Sequence, residues 1–206
     1  MHIIPVTPQR LDSAARVLAR AFVDDPMIRW CVGGDATDRL AREELDTACF
    51  RIVNVANAEG GWMWETEDGA GTAVWLPPEA TATFQEDDVA MRPAIARIVD
   101  DPERYDAFWD WLNAFIPDEP TWFLDQIGVE PTRQGEGVGR ALIEHGLEMS
   151  RTAGQPAYLE TGTQRNVAYY ESFGFRVVHE GDAPDGGPHI WFMQLEASTG
   201  SSDTHI

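Results

Sequence analysis

Three glycines, Gly135, Gly137 and Gly139, occupy alternate positions in the stretch EPTRQGEGVGRAL. An apolar run, Trp122 to Val129, precedes them, and a helical pattern, Gly137 to Ala153, follows. A strand that turns through glycines into a helix N-terminus is an anion site. The first amides of the helix have no partner within it, and the helix dipole is positive at that end. A backbone without Cβ atoms can also come close to a phosphate. The stretch is not a nucleotide P-loop, because Arg140 and Ala141 stand where lysine and a hydroxyl residue are needed. Nor is it the dinucleotide GxGxxG, whose third glycine position holds Arg140. Further on, Asn166 and Tyr170 lie four residues apart in a short helical pattern, so both side chains leave one face.

Gln134, Gly137 and Gly139 fit the pattern Q/R-x-x-G-x-G/A, and QRNVAYYESFGF (Gln164 to Phe175) places an asparagine at a helix start and YExxGF at its close. Together, in this order, they resemble the pyrophosphate loop and later motif of the GCN5-related N-acetyltransferases, the GNAT family. Longer segments look like the puromycin N-acetyltransferase-like members: AFVDDP, AVWLPPE, EPTWFLDQIGVEPTRQGEGVG, AYLETGTQRNVAYYESFGF and APDGGPHIWFM. The region 87–115 is only loosely similar.

The resemblance implies acetyl-CoA as cofactor. Its pyrophosphate would rest on the amides of Gln134, Gly135, Glu136, Gly137, Val138, Gly139 and Arg140. The pantetheine arm would lie along Ile127, Gly128 and Val129, with Gly128 permitting a splay between strands, and Asn166 and Tyr170 would complete the site. The implied reaction is transfer of an acetyl group to a primary amine by direct attack, through a tetrahedral intermediate. The Val129 amide would face the oxyanion and Tyr170 would protonate the departing thiolate. Glu160 matches the glutamate of the family's LET segment; burial would raise its pKa and suit it as the base. Asp125 is the second candidate. Tyr169 reads as packing, His145 as a surface residue, and His189 as a base with nothing to support it. No metal is implied.

These residues need elements to hold them. A short strand, His2 to Val6, precedes a helix capped by Thr7 with Pro8 in its first turn. Thr37 to Ala58 reads as one longer helix. Trp62 to Glu65 and Gly71 to Leu76 form a strand pair about EDGAG, and Pro77-Pro78 stops the second strand. Asp87 to Phe115 gives two helical segments divided at Asp101-Pro102. Strands at 122–129, 157–161, 175–179 and 189–195 alternate with helices at 137–153 and 166–173. That is an α/β chain forming one N-acetyltransferase domain over residues 1–196, with 197–206 as a flexible tail. The resemblance makes it a mixed, mostly antiparallel sheet of six to seven strands, flanked by helices and splayed at strands four and five.

Composition narrows the partners. The chain has 206 residues, a net charge of −20, fifteen arginines and no lysine. Nucleic acid is a poor partner for such a field, and a cationic or aromatic small-molecule amine fits it. Trp30, Trp75, Trp122 and Trp191 are candidate walls for an aromatic substrate, and Asp24 and Asp25 border the acceptor region. The leading expectation is acetylation of a small amine, a puromycin-like aminonucleoside among them, which would make the activity antibiotic resistance. A peptide or protein amine, or a non-catalytic acyl-CoA sensor, are the alternatives. No apolar stretch is long enough to span a membrane and the start lacks a secretory pattern, so a cytoplasmic monomer or homodimer is expected. Cys31 and Cys49 are read as buried free thiols.

Overall fold

The computed structural model describes residues 1–34 and 37–197, with the backbone alone at position 85. From Ser198 on, the expected tail lies outside the described residues. The strands are β1 (Ile3–Pro5), β2 (Met63–Thr66), β3 (Gly71–Leu76), β4 (Trp122–Val129), β5 (Ala157–Thr161), β6 (Arg176–Asp182) and β7 (His189–Leu195). The helices are α1 (Leu11–Phe22), α2 (Pro26–Val32), α3 (Arg39–Val53), α4 (Val55–Gly60), α5 (Pro78–Ile95), α6 (Pro102–Asn113), α7 (Val138–Ala153) and α8 (Gln164–Glu171). The seven strands form one sheet in the order β1-β2-β3-β4-β5-β7-β6. Every neighbouring pair is antiparallel except β4 and β5.

Two irregularities in β4 create the site. Its register with β5 holds only at Trp122↔Ala157 and Phe123↔Tyr158, so beyond Phe123 the two parallel strands diverge and leave a notch. On the other side, Val74 faces Gln126 while Trp75 faces Leu124, so Asp125 is an inserted residue. Such a bulge re-aims side chains, and Asp125 and Gln126 both reach the same cavity although they are consecutive.

The sheet is covered on both faces. One apolar cluster unites Leu18, Phe50, Phe108, Phe123 and Phe192 beneath the helices that precede β4. The other unites Trp75, Leu142, Leu147, Leu159 and Phe175 beneath α7. Close approach depends on missing side chains. A Cβ on Gly128 would come within 3.0 Å of the Ala21 Cβ and 3.1 Å of Leu18. The glycine is therefore what lets α1 lie against β4, and its role in the strand splay expected from the sequence is not needed: the bulge and the short register supply that. On α7, a Cβ at Gly146 would fall 2.0 Å from the Trp75 indole, which donates to the Leu142 carbonyl at 3.2 Å.

Several sequence boundaries move. The expected 37–58 helix is broken at Asn54, whose side chain donates to the Phe50 carbonyl at 2.9 Å and competes with continued helix. α1 starts at Leu11, since Thr7 does not cap it but accepts the Arg10 amide in a turn through its carbonyl. Pro78 ends β3 and also begins α5, where its fixed φ suits the first turn.

Candidate active site

Two cavities meet in the notch. The first is a groove beside the glycine loop, lined by Gly128, Val129, Arg133, Gln134, Gly135, Gly137, Val138, Gly139 and Arg140, with Arg165 and Tyr169 opposite. The second, of about 1320 Å³ with its mouth included, lies between β4, β5 and the helices α2, α3, α5 and α6. Phe22, Asp25, Ile127, Asn166 and Tyr170 line both.

The groove is built for an anion. Gly135 and Gly137 both have φ of +84°, which other residues rarely adopt, and a Cβ on either would meet nothing within 4 Å. The loop is thus left-handed and bare on its outer side. Gly137 opens α7 with no side-chain cap, leaving the first-turn amides for a ligand. Val138 presents only its backbone, because its side chain is buried against Gly71. Arginines 133, 140 and 165 add positive charge. Glu136 turns to Arg133 at 2.7 Å and does not line the groove. Gln134 donates to the Val129 carbonyl at 3.5 Å and ties the loop to the end of β4. The mouth of the notch is braced further: Arg20 of α1 grips Glu130 at 2.5 and 3.0 Å and Glu43 of α3 at 3.1 Å.

The second cavity has the opposite character. Phe22, Phe50, Trp62, Phe84, Tyr105 and Trp109 supply aromatic walls, and among the described residues its only charged lining residues are Asp25, Asp87, Asp88, Asp125 and Glu160. Burial pushes Asp125 up to about 7, against the pull of the Gln126 amide, which donates to it at 2.9 Å. Glu160 lies well above the ordinary carboxylate range through burial, and the charge of Asp125 pushes it further. Its Oε2 has no hydrogen-bond partner among the described residues. Asp25 is likewise raised by burial, though it accepts the Met27 and Ile28 amides at 2.9 and 3.2 Å as the cap of α2. Tyr170 is buried on α8, and burial holds its phenol protonated far above the ordinary value. Asn166, one turn earlier, donates to the Thr161 hydroxyl at 3.3 Å.

A phosphate-sized bare loop, a notch in the sheet beside it and a protonated phenol where the two cavities join together suit a thioester carrier on one side and an amine on the other. A family model for the acetyltransferase (GNAT) family matches residues 43–175. The chain belongs to the GNAT family. It is an N-acetyltransferase, and acetyl-CoA is its acetyl donor. It is 29% identical over 179 residues to an uncharacterized N-acetyltransferase of Schizosaccharomyces pombe, covering 79% of this chain and 69% of that one. Among solved structures, a histone acetyltransferase HPA2-related acetyltransferase from Corynebacterium glutamicum superposes with a TM-score of 0.67 over 97% of both chains at 22% identity. A polyamine N-acetyltransferase of Drosophila melanogaster superposes with a TM-score of 0.57 at 13% identity, covering 95% of this chain and 99% of that one. Both structures share the GNAT fold with this chain.

Some sequence expectations need correction. Tyr169 is not simple packing: it lines the GNAT groove, and its hydroxyl would stand 3.3 Å from a Cβ placed on Gly139. Tyr169 faces the glycine-loop groove alone, whereas its neighbour Tyr170 lines both cavities. His145 is half-buried and not a free surface residue: it packs against Trp64 with ring centroids 4.5 Å apart, and burial lowers its pKa. His189 pairs with Asp182 at 2.7 Å and lies outside both cavities. Of the eight tryptophans, Trp62 and Trp109 wall the second cavity, while the fully buried Trp75 belongs to the core beneath α7 and Trp30, Trp122 and Trp191 lie elsewhere. Arg165 was overlooked, although it directly precedes Asn166 in the motif.

Proposed function

We propose that this GNAT enzyme acetylates a small cationic primary amine that carries an apolar or aromatic body. The observation behind this reading is the acceptor cavity, where aromatic walls surround five carboxylates and no basic residue among the described residues lines it. An ammonium is drawn to such a site and the body of the molecule fills its apolar space. A puromycin-like aminonucleoside is one member of this class, and the segments that resemble puromycin N-acetyltransferases, the AVWLPPE run among them, support testing it first.

Bound acetyl-CoA supplies a thioester-activated acetyl group. Its phosphates suit the amides of Gln134, Gly135, Glu136, Gly137, Val138, Gly139 and Arg140, and its arm suits the free edge of Ile127, Gly128 and Val129. Asn166 orients the arm at the junction. An amine attacks only when neutral, so a carboxylate must take its proton. Asp125, at about 7, can do so near neutral pH, with Glu160 beside it as the neutral, protonated partner. Assigning the proton to Asp125 reverses the order expected from the sequence, where Glu160 was the first base candidate. In this reading the Val129 amide receives the developing oxyanion. Tyr170 carries a firmly held proton to deliver to the departing sulfur.

The test is thiol release from acetyl-CoA across a panel of puromycin, arylalkylamines, polyamines and basic peptides. Turnover confined to small apolar amines is the expected result. Turnover of basic peptides alone would replace the small-molecule reading with a protein amine. Tight acetyl-CoA binding with silence across the panel would favour a sensor. In the same assay Tyr170→Phe is expected to lower kcat by roughly 10²–10⁴-fold with little change in the KM for acetyl-CoA.

A further inference from the structure

A chain of three amides, the buried Asn57 and Asn54 and the half-buried Gln126, runs from the break between α3 and α4 to Asp125. Asn57 Nδ2 donates to Asn54 Oδ1 at 2.9 Å, Asn54 Nδ2 donates to Gln126 Oε1 at 2.8 Å, and Gln126 Nε2 donates to Asp125 Oδ2 at 2.9 Å. A side-chain amide can be turned end for end, and its neighbours decide which way it points. Here the polarity has one source. Asn54 Nδ2 also donates to the backbone carbonyl of Phe50 at 2.9 Å, and a carbonyl can only accept. That contact fixes the Asn54 amino group toward Phe50 and Gln126, which fixes Gln126 Oε1 toward Asn54. The amino group of Gln126 is then left for Asp125.

The other charged or titratable groups facing Asp125 offer it nothing of the kind. From β5 comes Glu160, from α5 Asp87 and Asp88, from α2 and its cap Cys31 and Asp25, from α3 Cys49, from α6 Tyr105, and from α8 Tyr170. Asp88 is already held by Arg92 at 2.6 Å and by Asn113 at 3.4 Å. Among the described residues, the Gln126 amide is the donor to the Asp125 carboxylate, and Oδ1 carries no hydrogen bond. The bulge at Asp125 is what brings two consecutive β4 side chains into this contact.

Resting on the amine-acetyltransferase reading above, we propose that Asn54 and Gln126 are positioning residues: their chain of amides fixes a donor on Asp125 Oδ2 and leaves Oδ1 to take the proton of the attacking amine. In that step the amine's N–H bond breaks, the Oδ1–H bond forms, and the nitrogen lone pair is free to attack.

The test is the pH at which Asp125 titrates, followed in the intact protein by the ¹³C resonance of its side-chain carboxyl, beside the pH dependence of kcat/KM for an amine that turns over. Loss of one hydrogen bond to a charged group is expected to raise the Asp125 midpoint by about one to two pH units in Gln126→Met. The rising limb of kcat/KM should move by the same amount, which lowers the rate at pH 6 by about 10- to 100-fold and leaves the alkaline plateau in place. Asn54→Ala, which frees the Gln126 amide to turn over, should move both in the same direction, and it serves if Gln126→Met does not fold. A structural role alone would lower the yield or thermal stability of either variant without moving the midpoint, and an unmoved midpoint overturns the proposal. A midpoint that moves while the kcat/KM limb stays in place would overturn the proton-acceptor assignment. A wild type that turns over no amine would defeat the functional reading instead, while the carboxyl titration would still decide whether the amide chain controls Asp125.

Discussion

Asp125 and Glu160 are two carboxylates in one cavity whose surroundings separate their protonation. Asp125 is raised from an ordinary 3.8 to about 7 by burial, so its sign differs from that of a salt-bridged aspartate. Between those two values the folded protein binds more protons than the unfolded chain, and stability falls as pH rises through that window. If Asp125 is the base proposed above, activity has the opposite slope, because only the ionised carboxylate accepts a proton. Asp125→Asn is therefore expected to lower kcat/KM and remove its inflection near pH 7, yet to unfold at a higher temperature than the wild type at pH 8. Thermal melts and initial rates on the same samples decide this; an Asn variant that is both slow and less stable at pH 8 would speak against a buried, costly charge. Legibility at this scale was uneven. Tyr170, Asn166 and the glycine loop could be read because their spacing is local. The pairing of Asp125 with Gln126 could not, because strand alternation puts neighbours on opposite faces and nothing local announces the bulge. Asn54 was invisible for a related reason: it looks like one polar residue in a helix, and only its long-range contact to β4 gives it meaning.

The elements are positioned by close approaches that single glycines permit. Gly146 lets α7 lie flat on the Trp75 indole, which is fully buried and hydrogen-bonded to the same helix. A methyl group there has no room, since the ring cannot retreat through β3. Gly146→Ala is expected to destabilise the fold by about 3 kcal/mol, at the upper end of ordinary overpacking, measured by urea unfolding. A cost under about 0.5 kcal/mol would mean that α7 shifts freely on the sheet. Strand positions were largely legible because β3, β4, β5 and β7 are apolar runs bounded by glycine or proline. Helix limits were less so, as at Asn54 and Pro78, where side-chain hydrogen bonds and a proline with two roles decide the boundary.

For the molecule as a whole, charge is segregated: arginines frame the GNAT groove, carboxylates fill the acceptor cavity, and the net charge of −20 surrounds both. The field draws in a cationic amine and repels an anionic thioester carrier, and salt screens each effect over roughly 8 Å at physiological ionic strength. Raising salt is thus expected to lower kcat/KM for the amine and to raise it for acetyl-CoA. Parallel trends for both substrates would show that the global field does not govern encounter. The order of strands along the chain follows from composition only in part: apolar runs indicate how many strands there are, while their neighbours are set by contacts far apart in sequence.

The notch also constrains how the chain can be shortened. β5 shares only two residue pairs with β4, and five with β7. Most of its pairing in the sheet therefore depends on β7, a strand made after every residue of the site and more than a dozen residues beyond the end of the family match at Phe175. A nascent chain that has made everything up to residue 188 would possess the glycine loop, Glu160 and Tyr170, and have only the two residue pairs with β4 to hold β5 in the sheet. Truncation there should yield an aggregating product despite an intact set of reactive residues, and adding a peptide spanning 187–197 in trans should restore solubility and acetyl-CoA binding. If the shortened chain were soluble and bound acetyl-CoA unaided, the short β4–β5 seam would be sufficient by itself.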